Sequence, residues 1–188
     1  MNNMSFINRF FGHLKNITIH RHLVMSMCFK CGMYKQGLLH DLSKYSFSEF
    51  WPSVKYYQGN RSPITYEKEV KGISYCWLHH KGRNKHHWEY YTDRVKYDLI
   101  NHQMPFNYVL ESVLDKIAAS KVYKKENYNT NYPYDFFMSS YEIKVMNQET
   151  ARQVSMLLKY LKDNDENKTL NYIKSLYKKY KKDNKFTI

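Results

Sequence analysis

The histidines and aspartates of this chain have the types and the spacing of a metal site. Nine histidines occur among its 188 residues, and His40 is followed directly by Asp41. Five of the nine fall between positions 40 and 87, namely His40, His79, His80, His86 and His87. Imidazole nitrogens and carboxylate oxygens together are ligands for Mn, Fe, Co and Zn. We therefore predict a site for one or two divalent transition-metal ions, with Mn or Fe favoured and Zn, Co or Ni as alternatives.

Several helices are needed to bring such residues together, and apolar residues repeat at helical spacing along most of the chain. The pattern predicts helices over about 16–34, 37–46, 46–57, 66–80, 84–100, 148–162 and 168–182, and another that starts near Pro105 and carries Glu111 and Asp115. Residues 124–147 lose this period, and we expect an irregular insertion there. The expectation is one compact, all-α domain over residues 1–188, with a core at about 15–125 and C-terminal helices over 148–185.

Two short motifs favour structural interpretations. Ser46 has the position of a helix N-cap, and Glu49 three residues later completes a capping box. Cys28 and Cys31 match the C-x-x-C spacing, but no second pair follows for zinc, and no strand-to-helix context surrounds them. The odd number of cysteines, with Cys76 as the third, also argues against a disulfide framework. Core packing is the better interpretation of these cysteines.

The net charge of +13 predicts an anionic partner, which is a nucleic acid, a membrane surface or a phosphorylated small molecule. The C-terminal part from 159 to 188 is rich in lysine, and a solvated basic helix face is the simpler interpretation there. No stretch approaches the ~20 apolar residues of a membrane-spanning helix, and the N-terminus has no apolar run before a cleavage site. We expect a cytoplasmic protein.

The context of His40 and Asp41 raises this pair above a chance dipeptide. The apolar lead-in Leu-Leu, followed after the pair by Ser43 and Lys44, resembles the signature of the HD superfamily of metal-dependent phosphohydrolases. An upstream histidine with valine four residues later, here His20, resembles the first ligand of that superfamily. The resemblance implies an all-α domain of HD type.

The later segments extend the resemblance. The run His-His-Trp-Glu from His86 resembles the HHE element of HD-GYP phosphodiesterases, and Asp115 in LDKIAAS resembles their final aspartate ligand. The combination also resembles an uncharacterised bacterial HD-like family over about 15–125. The implied ligands of a first metal are His20, His40, Asp41 and Asp115. A second metal would be held by His80, His86 and His87, with Asp41 bridging; His79 is the less certain of its pair, and His13, His22 and His102 are surface or core residues.

The resemblance implies hydrolysis of a phosphate ester, from a nucleotide or another small phosphorylated metabolite. Asp41 and Lys44 would be catalytic, and Lys44, Lys81 and Arg83 would bind the substrate. One alternative is an HD-type di-iron oxygenase, because the two chemistries share ligand types. The other is a non-catalytic, basic nucleic-acid-binding protein in which tyrosines of the last helix stack on bases; these are Tyr172, Tyr177 and Tyr180, for which core packing is the better interpretation.

Overall fold

The computed structural model describes residues 4–188, and most of them are helical. Helix makes up 71% and strand 4% of the structure, so the predicted all-α class is confirmed. The α-helices are α1 (Phe6–Lys30), α2 (Tyr34–Leu39), α3 (Phe47–Tyr56), α4 (Pro63–Lys71), α5 (Tyr75–Lys81), α6 (Phe106–Lys124), α7 (Tyr132–Ser139), α8 (Glu142–Val145), α9 (Gln148–Asp163) and α10 (Glu166–Lys182). One hairpin of β1 (Thr92–Val95) and β2 (Asp98–Asn101), together with short 3-10 turns at Leu42–Tyr45, Trp88–Tyr91 and Lys125–Asn127, completes the described elements.

The helix α6 lies at the centre of the fold, because its own apolar residues are distributed around the helix and are covered by neighbouring helices. It packs against α1, α9 and α10, and Leu110, Leu114 and Ile117 are fully buried between these neighbours. Pro105 directly precedes α6 as its N-cap, close to the first-turn position that the sequence predicts. This central helix places Glu111 deep inside the protein.

The two C-terminal helices α9 and α10 agree with the prediction. Each has a strong apolar stripe and a side-chain N-cap, Asn147 for α9 and Asp165 for α10. Leu157 and Leu161 of α9 and Ile173 of α10 are fully buried. These helices cover α6 and complete the core.

The helix predicted over 84–100 is wrong, because this segment forms a 3-10 turn followed by the hairpin. The strands pair Thr92 with Asn101 and Val95 with Asp98, and Lys96 closes the turn with a φ of 58°. Both strands are largely exposed. The apolar residues whose spacing suggested a helix are therefore not buried against a core. The two short strands contain β-branched residues and pair with each other instead.

The prediction of an irregular insertion over 124–147 is wrong in part. The helices α7 and α8 lie within it, and α7 packs against α6 and α9. Phe137 is fully buried in the main core. The short length of these helices hides their periodicity in the sequence.

The segment predicted as one helix over 66–80 contains two. Gly72 ends α4 with a φ of 73°, and Ser74 starts α5 by accepting a hydrogen bond from the amide of Trp77. A positive φ favours glycine, so the break occurs where the sequence permits it. The new direction of α5 points His80 into the protein.

The first helix α1 starts at Phe6, about ten residues before its predicted start. Gly37 of α2 packs closely on α1, where a Cβ atom would lie 2.9 Å from the Cβ of Cys28. This close approach holds α2 against the C-terminal end of α1. The three cysteines are buried free thiols, as predicted, and no helix within residues 4–188 combines the length and apolar character needed to cross a membrane.

Candidate metal centre

Three parts of the fold supply a first group of candidate ligands. They are His20 on α1, His40 and Asp41 after α2, and Asp115 on α6. His20 Nε2 lies 2.9 Å from Asp115 Oδ1 and 3.4 Å from Asp41 Oδ2. His40 Nε2 lies 3.4 Å from the same two oxygens and 3.5 Å from His20 Nε2. The structure thus brings together the four residues predicted for a first metal.

The backbone at Asp41 explains how two adjacent residues reach one point. On a helix their side chains would point ~100° apart, and the helix predicted over 37–46 is wrong at this position. The helix α2 ends at Leu39, His40 is extended, and Asp41 has a left-handed conformation with a φ of 55°. Aspartate tolerates this conformation better than most residues. The break in the helix therefore allows both side chains to face the same site.

The other carboxylate oxygen of Asp41 faces a second group of histidines. Asp41 Oδ1 lies 3.3 Å from His80 Nε2 and 3.4 Å from His86 Nε2. With His87 included, the candidate ligand atoms of this group all lie within 4.8 Å of one another. His80 is near the end of α5, whereas His86 and His87 lie in the turn that replaces the predicted helix. Outside a helix, these adjacent histidines can both point inward.

The spacing within the first group fits one metal ion. Ligands at ~2.1 Å from an ion, with angles between 90° and 110°, lie about 3.0 to 3.4 Å from one another. Five of the six distances in the first group run from 2.9 to 3.5 Å, and all six are within 4.8 Å. Its four side chains therefore already have the spacing of a coordination sphere.

The hydrogen-bonding of its buried polar atoms provides separate support for the second group. Asp41 Oδ1 and the Nε2 atoms of His80, His86 and His87 are buried, and apart from the contacts of 3.3 and 3.4 Å between Asp41 Oδ1 and the first two histidines, none of them has a hydrogen-bond partner within residues 4–188. Buried polar atoms without partners are rare, because each costs about 1–3 kcal/mol. Here all four are the candidate ligand atoms of one group. A bound cation would satisfy them together.

Glu111 connects the two groups from behind. Its Oε1 lies 2.9 Å from His40 Nδ1 and 3.3 Å from His86 Nδ1, so one oxygen accepts hydrogen bonds from a histidine of each group. Gln36 Nε2 donates to the other oxygen, Oε2, at 2.9 Å. A histidine that donates from Nδ1 to a carboxylate presents the lone pair of Nε2 to a metal. Glu111 therefore orients one candidate ligand of each group.

Glu49 has the same role for the second group alone. Its Oε2 lies 2.7 Å from His80 Nδ1, and its Oε1 lies 2.6 Å from His79 Nδ1. The predicted capping box is therefore wrong: Ser46 precedes α3 as its N-cap but makes no side-chain capping bond, and Glu49 points into the protein. Burial would raise the pKa of Glu49, but hydrogen bonds from His80 and His79 lower it, and the carboxylate stays charged.

Lys44 is the basic side chain of the centre. Its Nζ lies 2.5 Å from Asp41 Oδ2, and about a quarter of its side chain is exposed. Burial would lower the pKa of Lys44, but the charges of Asp41 and Asp115 raise it. Asp115 is 17% exposed, whereas the side chain of Asp41 is almost fully buried. The centre therefore opens to solvent on the side of Lys44 and Asp115.

The charges of the centre favour cations. Four carboxylates, those of Asp41, Asp115, Glu111 and Glu49, contact the histidines of the centre, whereas Lys44 contributes one ammonium, paired with Asp41. Burial would raise the pKa values of Asp41 and Asp115, but neighbouring histidines hold both well below the usual range, with Lys44 contributing at Asp41. Lys44 can balance only one of these negative charges. The positive charge that balances the others must come from protonated histidines or from bound metal ions.

Two histidines differ clearly in their affinity for protons. Burial would lower the pKa of His40, but the charge of Asp41 and hydrogen bonds to Asp115 and Glu111 raise it to about 10. Burial lowers the pKa of His87 well below its usual value, and His86 and His80 lower it further. His87 is thus neutral at pH 7, whereas a metal must displace a proton from His40.

The other residues singled out in the sequence lie outside the two groups. His79 contacts Glu49, as described, and His13 is buried against Phe50 and Tyr57. His22 and His102 are exposed. Lys81 is half-buried at the end of α5, and the exposed guanidinium of Arg83 makes no ion pair with any described residue. The Arg83 amide donates to the backbone carbonyl of His80, but neither basic side chain forms an ion pair with a candidate ligand among residues 4–188.

Glu49 and Glu111 are the site residues that sequence reasoning did not assign. Glu111 precedes Asp115 by one helical turn, so both lie on one face of α6. A carboxylate on an otherwise apolar helix face was an available signal of a buried partner. For Glu49 the same position satisfies a capping box, and nothing local distinguishes the two roles.

The fold and the site define a class, an all-helical protein with a buried cluster of histidines and carboxylates that can bind metal. Residues 9–160 match a family described as a family of unknown function, DUF5662. This match covers most of the chain, and the chain belongs to that family. No curated protein and no solved structure matches the chain. The matched range includes both groups of candidate ligands.

Proposed function

We propose that this protein is an HD-type phosphohydrolase that uses one or two divalent metal ions to hydrolyse a small phosphate ester. The single observation that carries the proposal is the position of Asp41. Its Oδ2 faces His20 and His40, and its Oδ1 faces His80 and His86. One carboxylate shared by two sets of ligands can hold two ions about 3.5–4 Å apart, which is the separation in two-metal hydrolytic sites.

The order of the ligands supports the relationship to HD proteins. A histidine on the first long helix, an adjacent His–Asp pair and an aspartate on a later helix converge as the sequence resemblance implies. The polar atoms of the second group that lack partners support a second ion. We favour Mn or Fe as the metal, and the combination of imidazole with carboxylate is compatible with both, as it is with Co and Zn.

The chemistry divides between the ions and the chain. When bound, two such ions polarise a phosphoryl oxygen and lower the pKa of a water that attacks phosphorus. Asp41 would hold both ions, and Glu111 and Glu49 fix the rings of the histidines. Lys44, at the solvent side, places a positive charge beside Asp41 and can neutralise a phosphoryl oxygen.

Lys81 and Arg83 extend the proposed substrate contacts outward. Both lie on the chain between the two histidine pairs, and the guanidinium of Arg83 has no acidic partner among the described residues. It is therefore free for a second anionic group, such as the next phosphate of a nucleotide. An anionic small molecule fits these charges better than a neutral one.

The nucleic-acid alternative has less support from the structure. The three tyrosines that could stack on bases pack against the main core; they are Tyr172, Tyr177 and Tyr180. The oxygenase alternative shares every ligand with the hydrolase, so only chemistry separates the two. Phosphate release needs no change in oxidation state of the metal, whereas oxygenation requires both iron and oxygen.

The test begins with elemental analysis of the purified protein. The Mn and Fe forms are then given p-nitrophenyl phosphate, bis(p-nitrophenyl) phosphate and a series of nucleotides, in air and under nitrogen. We expect the Mn form to release phosphate, p-nitrophenol or a nucleotide product equally fast with and without oxygen. Turnover that requires iron and oxygen together would replace the hydrolase with the oxygenase.

Two matched variants complete the design. Asp41→Asn preserves the shape of the bridging side chain but removes its charge, and we expect metal content and turnover to fall together while helical circular dichroism persists. Asp98→Asn makes the same chemical change at an exposed position of β2 and should leave both unchanged. Retention of metal and activity by Asp41→Asn would refute the proposed role of Asp41.

A further inference from the structure

An exposed aromatic surface lies at the N-terminal end of the fold, away from the proposed metal ligands in sequence. We call it the aromatic face; it consists of Phe6, Ile7 and Phe11 on α1 with Phe47 and Trp51 on α3. All five side chains are substantially exposed, Phe47 by 80% and Phe11 by 62%. Single exposed apolar residues are common, but a contiguous group of large ones marks an interaction surface.

Ring contacts show that the aromatic face is continuous. Phe6 stacks on Trp51 with ring centroids 6.2 Å apart, and Phe47 contacts Trp51 at 6.1 Å. Phe10, which is partly buried beneath, contacts both Phe11 and Trp51. Offsets of four residues along α1 place these rings on one side of that helix. The two helices thus present one apolar surface to solvent.

The surroundings of the aromatic face are basic. The first 20 residues, which include the α1 side of this face, contain Arg9 and Lys15 and no aspartate or glutamate. Arg9 donates a hydrogen bond to the backbone carbonyl of Lys55, which links the start of α1 to the end of α3 and places both basic residues in this part of the fold. Glu49 of α3 is buried and paired with histidines. The acidic residue of the adjacent cavity, Glu67, is buried and paired with Lys71.

We propose that the aromatic face docks on an anionic lipid bilayer. Phenylalanine and tryptophan on one side of a helix, with lysine and arginine beside them, match the chemistry of the boundary between headgroups and acyl chains. Anionic headgroups then neutralise Arg9, Lys15 and Lys55. A second copy of this chain fits less well, because two such faces would bring the same positive charges together without a carboxylate between them.

The experiment is cosedimentation of the full chain with lipid vesicles. One set contains phosphatidylcholine alone, and the other contains equal parts of phosphatidylcholine and phosphatidylglycerol. We expect binding to the anionic vesicles only, weakened by high salt because surface charges are screened. Brominated lipids should quench Trp51 fluorescence in the bound state, which shows insertion rather than surface adsorption alone.

A double variant, Phe11→Ser with Phe47→Ser, tests the aromatic face itself. Each ring that leaves water contributes on the order of tenfold to binding, so the pair should lose about 100-fold. Phe136→Ser on α7 is the matched control, because Phe136 is 59% exposed but lies outside the face; it should bind like the unmodified chain. Circular dichroism and metal content verify that each variant folds.

Three results would overturn the proposal. The first is the absence of binding to anionic vesicles, and the second is equal binding by the double variant and the control. The third is a dimer in light scattering that the double variant abolishes, without vesicle binding, which would identify the face as a contact between copies. If the double variant fails to fold, Phe47→Ser alone and the quenching of Trp51 in the unmodified chain carry the test.

Discussion

Replacement of Glu111 by glutamine should weaken both proposed metal sites at once. Glu111 Oε1 contacts His40 of the first group at 2.9 Å and His86 of the second at 3.3 Å. Loss of a carboxylate that orients a ligand histidine typically costs 10–100-fold in metal affinity, or about 1.4–2.7 kcal/mol. We expect a loss of this size at each site, because one ligand of each loses its charged partner.

Glutamine has the shape of glutamate but cannot reproduce its contacts. Its amide oxygen can still accept from one or both histidines. Its NH2 group would then face Gln36 Nε2, which donates to Glu111 Oε2 at 2.9 Å. Two donors would oppose each other in a buried position, which adds the cost of an unsatisfied polar group. The variant therefore tests both charge and orientation.

The comparison with Glu49→Gln makes this prediction specific. Glu49 contacts His80 of the second group and no ligand of the first, so that variant should weaken only one of two sites. Titration with Mn²⁺, followed by electron paramagnetic resonance of the free ion, counts the sites and measures each affinity. Because Glu111 also helps to raise the pKa of His40, the titration is repeated at several pH values. Two unchanged affinities in a folded Glu111→Gln protein would refute the reasoning.

Two further predictions concern protonation and packing. Metal binding at pH 7 should release protons, because the pKa of His40 is about 10 before an ion displaces its proton, and that of His80 is also raised. Metal affinity should therefore increase as pH rises towards 10. Calorimetry in buffers of different ionisation enthalpy measures the number of protons released on binding. A release of zero protons would contradict the charges assigned to these histidines. Phe137→Ala should lower the free energy of unfolding by about 3–5 kcal/mol in urea titrations, since Phe137 is fully buried. The adjacent Phe136 is exposed, and Phe136→Ala should lower the free energy of unfolding by under about 0.5 kcal/mol. Similar losses of unfolding free energy in the two variants would show that α7 is not part of the core.

The sequence predicts the candidate ligands better than the elements that carry them. His40 and Asp41 are adjacent and embedded in an apolar turn, and a family resemblance supplies their distant partners. The left-handed backbone of Asp41 has no such signal. Neither does the turn at His86, because its apolar spacing also fits a helix.

Glu49 and Glu111 show why the supporting shell was not assigned. Their partners lie 30 or more residues away in sequence, His79 for Glu49 and His40 for Glu111. Only tertiary packing brings these pairs together, and periodicity reports which face is buried rather than what it meets. The helices α9 and α10 were predicted well because their apolar stripes are long and their caps are local.

The wide separation of the candidate ligands has a consequence for the life of the protein in a cell. They run from His20 to Asp115 and come from α1, the residues after α2, the end of α5 and the turn after it, and α6. An ion held by all of them would act as a crosslink between distant parts of the chain, and it would favour the folded form by mass action. The exposed hairpin that follows His86 and His87 has the most to gain from this crosslink, because both of its strands lie largely in solvent. We therefore expect the local supply of the metal to set how much of this protein survives proteolysis, as well as how active each molecule is.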